Sequence, residues 1–298
     1  MPLIETIRAE MAGAFAQRKP GSMLEFPDMI FSFCEQTSWD LRFGAMVSRK
    51  LEVEHERKEM IERTQRLAAK TFAVTYLLGM AILMVVFRHF YAPYLVWESG
   101  EETARHFVHH EEAIRIYLAG AFVHGVGMIV LLTALYMLLR PVNRGVALCA
   151  ALSRVIYAVF WFIFVLDMFG ALRTLAGAGA LQRFGADGLA ALAGVQLDAG
   201  RDAYYIGLAF NGLGSALFAW VLFQSRYIPR VLALWGVLSA VYEGFCGFAY
   251  LLYPRFGVIH SANWYELPPM TFDLLLCFWL LFRRLKSPET MLASPSAA

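Results

Sequence analysis

Six apolar stretches constrain this chain more than any other feature. They fall at 71–87, 113–139, 146–172, 203–223, 231–253 and 270–282. An α-helix rises about 1.5 Å per residue, so roughly 20 residues cross a hydrocarbon core about 30 Å thick. Within hydrocarbon a segment of that length must satisfy its own backbone N–H and C=O groups, and a helix does so. The pattern predicts an all-α, polytopic transmembrane helix bundle of about six spans. Composition agrees, with 59% hydrophobic and 17% charged residues against about half and a quarter in soluble domains. The first and last spans are short, and Arg88 and Arg283 extend them by snorkelling to the headgroups.

Prolines punctuate the spans. Pro141, Pro229 and the pair Pro268 and Pro269 stand just outside helix starts, and Pro254 follows the fifth span. Three regions result: a charged, helical, cytoplasmic N-terminal region at 1–70, a six-helix domain at 71–286 and a short cytoplasmic tail at 287–298. In the first, Leu3, Ile4, Ile7, Met11 and Phe15 recur at helical spacing before a Lys-Pro-Gly break at 19–21. That segment suits either a membrane-surface helix or a short helix packed on the domain. Residues 1–60 have no apolar run with the flanks of a cleaved signal, so none is expected. Cys34, Cys149, Cys246 and Cys277 lie far apart without a C-x-x-C pair, giving neither a disulfide framework nor a cysteine metal site.

Lys and Arg set the expected orientation. Seven precede the first span between Arg49 and Lys70; Arg140 and Arg144 flank the second loop, Arg226 and Arg230 the fourth, and Arg283, Arg284 and Lys286 follow the last span. Basic loops stay on the cytoplasmic side, which puts both termini there in a bacterial inner (plasma) membrane. Tyr91, Tyr94, Trp97, Tyr253, Trp264 and Tyr265 then form an aromatic belt at the outer interface.

The chain carries an internal likeness. Segment 144–155, Arg-Gly-Val-Ala-Leu-Cys-Ala-Ala-Leu-Ser-Arg-Val, agrees at half its positions with 230–241, Arg-Val-Leu-Ala-Leu-Trp-Gly-Val-Leu-Ser-Ala-Val. One residue further in offset, His124-Gly-Val-Gly matches Asn211-Gly-Leu-Gly. Spans two–three and four–five read as duplicated hairpins of the same orientation, against the alternative of chance likeness between apolar segments.

Two loop motifs carry a resemblance. The run 134–144, Ala-Leu-Tyr-Met-Leu-Leu-Arg-Pro-Val-Asn-Arg, continues to Ser153-Arg-Val; the run 207–214, Gly-Leu-Ala-Phe-Asn-Gly-Leu-Gly, continues to Ser225-Arg-Tyr-Ile-Pro-Arg. Over about residues 66–286 the chain resembles a bacterial membrane-protein family labelled domain of unknown function 4386. The resemblance implies a six-helix inner-membrane protein and no activity. Members place a glutamate early in the last span, where this chain has Asp273.

Ionisable groups in hydrocarbon cost a few kcal/mol or more, which makes each a functional candidate. His124 falls near the middle of span two and Arg154 near the midplane of span three. Asn211 and Glu243 lie in the outer halves of spans four and five, Asp273 about two turns into span six, and Asp167 near the outer end of span three. Tyr157 is the repeat counterpart of Glu243. Together they predict a polar pocket open outward, with Arg154 facing a carboxylate of Glu243 or Asp273. The competing reading is a buried ion pair that fixes packing, with His124 as a hydrogen-bonded core residue. Gly125, Gly127, Gly212 and Gly214 read as sites of close helix packing.

The first outer loop holds His106, His109 and His110, which share a face if the helix continues, with Glu111, Glu112 or His260 as further metal donors. A solvated helix end is the simpler reading, and no metal is expected. His110 and His124, fourteen residues apart, also have a heme-compatible spacing, but no other span supplies a second axial histidine. No cofactor is expected. No G-x-S-x-G, H-E-x-x-H, Walker or dinucleotide motif occurs. Net charge of +2 gives no reason to expect nucleic acid; the bilayer and a small-molecule ligand are the expected partners. Three functions fit: binding or transport of a small molecule or proton, a membrane-embedded enzyme acting on a lipid-soluble substrate, and a structural or regulatory membrane partner. The first is preferred, because carboxylates, a histidine and an arginine without a nucleophile or metal cage suit binding and proton handling.

Overall fold

Helix ends follow from local capping chemistry. The computed structural model describes residues 26–177, 179–253 and 266–282. Seven α-helices lie within them: α1 (Phe26–Phe90), α2 (Gly100–His109), α3 (Glu111–Leu139), α4 (Arg144–Leu175), α5 (Gly185–Ser225), α6 (Arg230–Leu252) and α7 (Leu267–Phe282), with short 3-10 turns at Ala92–Tyr94 and Gly179–Phe184. Ser99 Oγ accepts from the Glu102 N–H at 3.1 Å to start α2, and Asn143 Oδ1 accepts from the Val146 N–H at 3.2 Å to start α4. Pro268 and Pro269 occupy the first turn of α7, where a missing N–H costs nothing. At the end of α5, Arg226 takes a left-handed conformation (φ 56°) and turns the chain towards Pro229.

The chain divides into two units, Met1–Met60 and Ile61–Ala298. Of the first, residues 26–60 are helical; the amphipathic segment at 3–16 lies outside the described residues, as do His260, Trp264, Tyr265 and the basic tail. In the second unit five helical segments are long and apolar enough to cross a bilayer: Arg63–Tyr94, α3, α4, α5 and α6. The sixth expected span forms α7, an apolar helix of 16 residues over its described length. No strand occurs among the described residues.

The fourth span departs from expectation. Residues 203–223 are only the C-terminal half of α5, which has 41 residues and runs about 61 Å at 1.5 Å per residue. The Ala- and Leu-rich run from Gly185 to Asp202, which fell between the expected third and fourth spans, extends the helix. This extension packs backbone to backbone on α2. A Cβ added to Gly194 would lie 2.6 Å from the Glu101 nitrogen, so only glycine fits there.

Central packing comes from α4, α5 and α6. A Cβ on Gly212 would sit 2.4 Å from the Gly244 nitrogen, so α5 and α6 cross in backbone contact. At the end of the bundle that carries the α3–α4 and α5–α6 loops, Phe72, Leu138, Leu139, Phe218, Leu222 and Leu276 form an apolar core. The Tyr227 turn is tied down there: Gln65 Nε2 donates to its hydroxyl at 3.1 Å, and Trp279 Nε1 to its carbonyl at 3.0 Å. The opposite half is aromatic, built on Phe107, Tyr117, Tyr157, Trp161, Tyr205 and Tyr250. Large apolar side chains cover the outside instead of polar ones; Val123, Val159, Leu166, Leu238 and Phe245 are all exposed. Helices apolar all round are what lipid contact requires.

Candidate functional site

A cavity of about 450 Å³ runs through the aromatic half, with Leu131 and Phe272 of the apolar core also on its wall. Six of the seven polar residues singled out in the sequence line it: His124 from α3, Arg154 and Tyr157 from α4, Asn211 from α5, Glu243 from α6 and Asp273 from α7. Tyr76 of α1 lines it as well. Asp167 does not. It sits on the α4 face against α5, where a Cβ on Gly200 would come within 3.2 Å of its own Cβ.

Each deep polar group is placed by a specific neighbour. His124 Nδ1–H donates to the Gly79 carbonyl at 3.2 Å, which sets the ring's proton on that nitrogen because a carbonyl only accepts. Its ring lies 5.2 Å from that of Trp161, whose Nε1–H donates to the Ala121 carbonyl at 2.9 Å. Arg154 Nη1 donates to Ser215 Oγ at 3.1 Å. Its stem passes over Gly214, where an added Cβ would meet Arg154 Cγ at 2.5 Å. The expected facing of Arg154 and a carboxylate takes a different form. Among the described residues no ion pair joins it to Glu243 or Asp273; all three border the same space instead.

Asn211 and Glu243 are both enclosed. Asn211 Nδ2 donates to Glu243 Oε1 at 3.0 Å, and the two residues are 8% and 5% exposed. The other oxygen of each, Asn211 Oδ1 and Glu243 Oε2, is buried without a hydrogen-bond partner. Such groups are rare in folded proteins because each forfeits its solvation.

The internal likeness maps onto the cavity wall. His124 and Asn211, Met128 and Ser215, Arg154 and Ala240, and Tyr157 and Glu243 are equivalent positions under the two offsets, and all eight line it.

The end of the cavity lined by Trp97, Arg201 and Glu266 escaped the sequence reading. Arg201 Nη1 donates to the Trp97 carbonyl at 3.0 Å and its Nη2 pairs with Asp198 at 2.6 Å. The Tyr204 hydroxyl bonds Glu266, and the Tyr250 hydroxyl bonds Asp202. The available signal was the spacing of Asp198, Arg201 and Asp202, which puts charge on one side of a helix running into the fourth span.

The loop histidines are arranged differently from expectation. α2 ends at His109, and His110 (φ −134°, ψ 33°) is the joint between α2 and α3. It therefore leaves the face that His106 and His109 occupy. His110 stacks on Tyr94 at 4.1 Å, and His106 Nδ1–H donates to the Tyr94 carbonyl at 3.2 Å. Among the described residues no group of three or more His, Cys, Asp or Glu side chains gathers to hold a metal.

Apolar spans and lipid-type exteriors define a multi-pass integral membrane protein. Residues 71–283 match the family described as Domain of unknown function (DUF4386), and the chain belongs to that family. No curated protein and no solved structure matches it.

Proposed function

We propose that this protein binds a small molecule in the intramembrane cavity centred on Glu243, Asn211, Arg154 and Asp273. The observation that carries this reading is the pair of buried oxygens, Asn211 Oδ1 and Glu243 Oε2, left without partners on the wall of a 450 Å³ space. A ligand would supply what they lack. The volume is in the range of small-molecule sites, and the mixture of ring faces with few polar groups matches their usual make-up. In the proposed orientation the basic α3–α4 and α5–α6 loops lie in the cytoplasm of a bacterial cell. The cavity mouth, beside Trp97, Arg201 and Glu266, then opens on the outer side. Transport follows if the deep end also opens inward; binding alone does not need it.

Analysis of what co-purifies tests the reading. Protein extracted from its own membrane would be compared with Met128→Trp, which fills the cavity from α3. Near-stoichiometric recovery of a small molecule from the wild type, depleted in the variant, is the expected result. Identical extracts from two folded proteins would contradict it.

A further inference from the structure

The unpartnered atoms at the deep end share one chemical property, and it narrows the class of ligand. Asn211 turns its amide nitrogen to Glu243, so the atom left over on each side chain is an oxygen. An amide oxygen only accepts, and a carboxylate oxygen does the same when Glu243 is ionised, the form that a cation beside it stabilises. Both residues are more than nine-tenths buried and both line the cavity. A molecule that satisfies them must bring donors.

The charges on the wall have the same sense. Asp198, Glu243 and Asp273 line the cavity against two guanidiniums, Arg154 and Arg201. Arg201 is matched by Asp198 at 2.6 Å. Arg154 directs a donor to the neutral Ser215 hydroxyl, and it borders the same cavity as the carboxylates of Glu243 and Asp273. Much of the remaining wall is made of aromatic side chains, among them Tyr157, Trp161, Phe164 and Tyr205. An aromatic ring attracts a cation placed over its face through its negative quadrupole.

We propose that the ligand is an organic cation with an apolar body, its N–H donors taken by Asn211 Oδ1 and Glu243 Oε2 and its body lying against Trp161 and Tyr157. This rests on the ligand-binding reading above. An anion in the same place would meet two carboxylates, and a neutral alcohol would satisfy one acceptor and leave the charge unmatched.

Full-length protein in lipid nanodiscs would be titrated calorimetrically with phenylbutylammonium, phenylbutanol and phenylbutyrate. Wild type, Glu243→Gln and Met128→Trp would be compared, with Asp273→Asn replacing Glu243→Gln if that variant melts early. The ammonium should bind at least ~10-fold more tightly than the other two, and Glu243→Gln should weaken it by ~10-fold or more while weakening the alcohol by much less. Met128→Trp should remove binding. Equal binding of alcohol and ammonium, lost in Met128→Trp, would overturn the cation and leave the binding reading standing; tighter phenylbutyrate would do the same and shift recognition to Arg154. Failure of all three probes overturns the cation proposal. Binding of all three unaffected by Met128→Trp overturns both.

Discussion

Asn211 and Glu243 share one hydrogen bond of 3.0 Å between α5 and α6, and each keeps a second oxygen buried and unpartnered. The relationship has a stability signature. Asn211→Leu strips Glu243 of its donor inside the bundle, at an expected loss of about 1–3 kcal/mol. Combining it with Glu243→Met replaces both partners by apolar groups and should recover most of that loss. Thermal melting in detergent reads both. A double variant as unstable as the sum of two singles would mean that the two side chains do not depend on each other.

Helix contact at Gly212 and Gly244 makes a separate claim. An added methyl at Gly212 meets backbone at 2.4 Å, whereas at Gly127 the nearest atom is Thr75 Cγ2 at 3.7 Å. Gly212→Ala should therefore destabilise the bundle by about 1–3 kcal/mol or more, since backbone cannot yield as a flexible side chain does. Gly127→Ala should stay within about 0.5 kcal/mol of wild type. Similar melting of the two variants would show that glycine content, not contact, sets the packing.

Much of this was legible in the sequence, and the reason is physical. Hydropathy finds spans because lipid contact dictates apolarity residue by residue, so α3, α4 and α6 appeared within a few residues of their ends. Arg154, Glu243 and Asp273 stood out because charge in an apolar run is expensive. Depth, however, is not rotation or reach. Arg154 and Glu243 fall at similar depths, yet Arg154 ends on Ser215, because Gly214 and the Gly212–Gly244 crossing fix how the helices turn. The mouth residues Arg201 and Glu266 were hidden for another reason. A helix that continues beyond the hydrocarbon loses its hydropathy signal while keeping its geometry.

Topology reporters test the orientation. Fusions before Thr71 and after Lys286 should read cytoplasmic, and one near Gly179 should read external. A C-terminal fusion reading external would mean that α7 does not cross the bilayer.

Metal content tests the outer loop. His106 and His110 are engaged with Tyr94, so protein purified without chelator should carry well below one zinc or copper per chain by elemental analysis. Stoichiometric metal that disappears in His109→Ala would overturn this reading of the loop.

The central claim is an intramembrane cavity that water and small solutes reach from the mouth, and thiol accessibility tests it most directly. Methanethiosulfonates react with thiolates, which form only where water reaches. In a background with the native cysteines replaced, a cysteine at Met128 lies on the cavity wall, while one at Val123 lies on the lipid-covered surface. A charged methanethiosulfonate added from the outer side should modify Met128→Cys and leave Val123→Cys unreacted. Equal inertness of the two would contradict the cavity as a solvent-connected site, and faster reaction at Val123→Cys would contradict the placement of the helices around it.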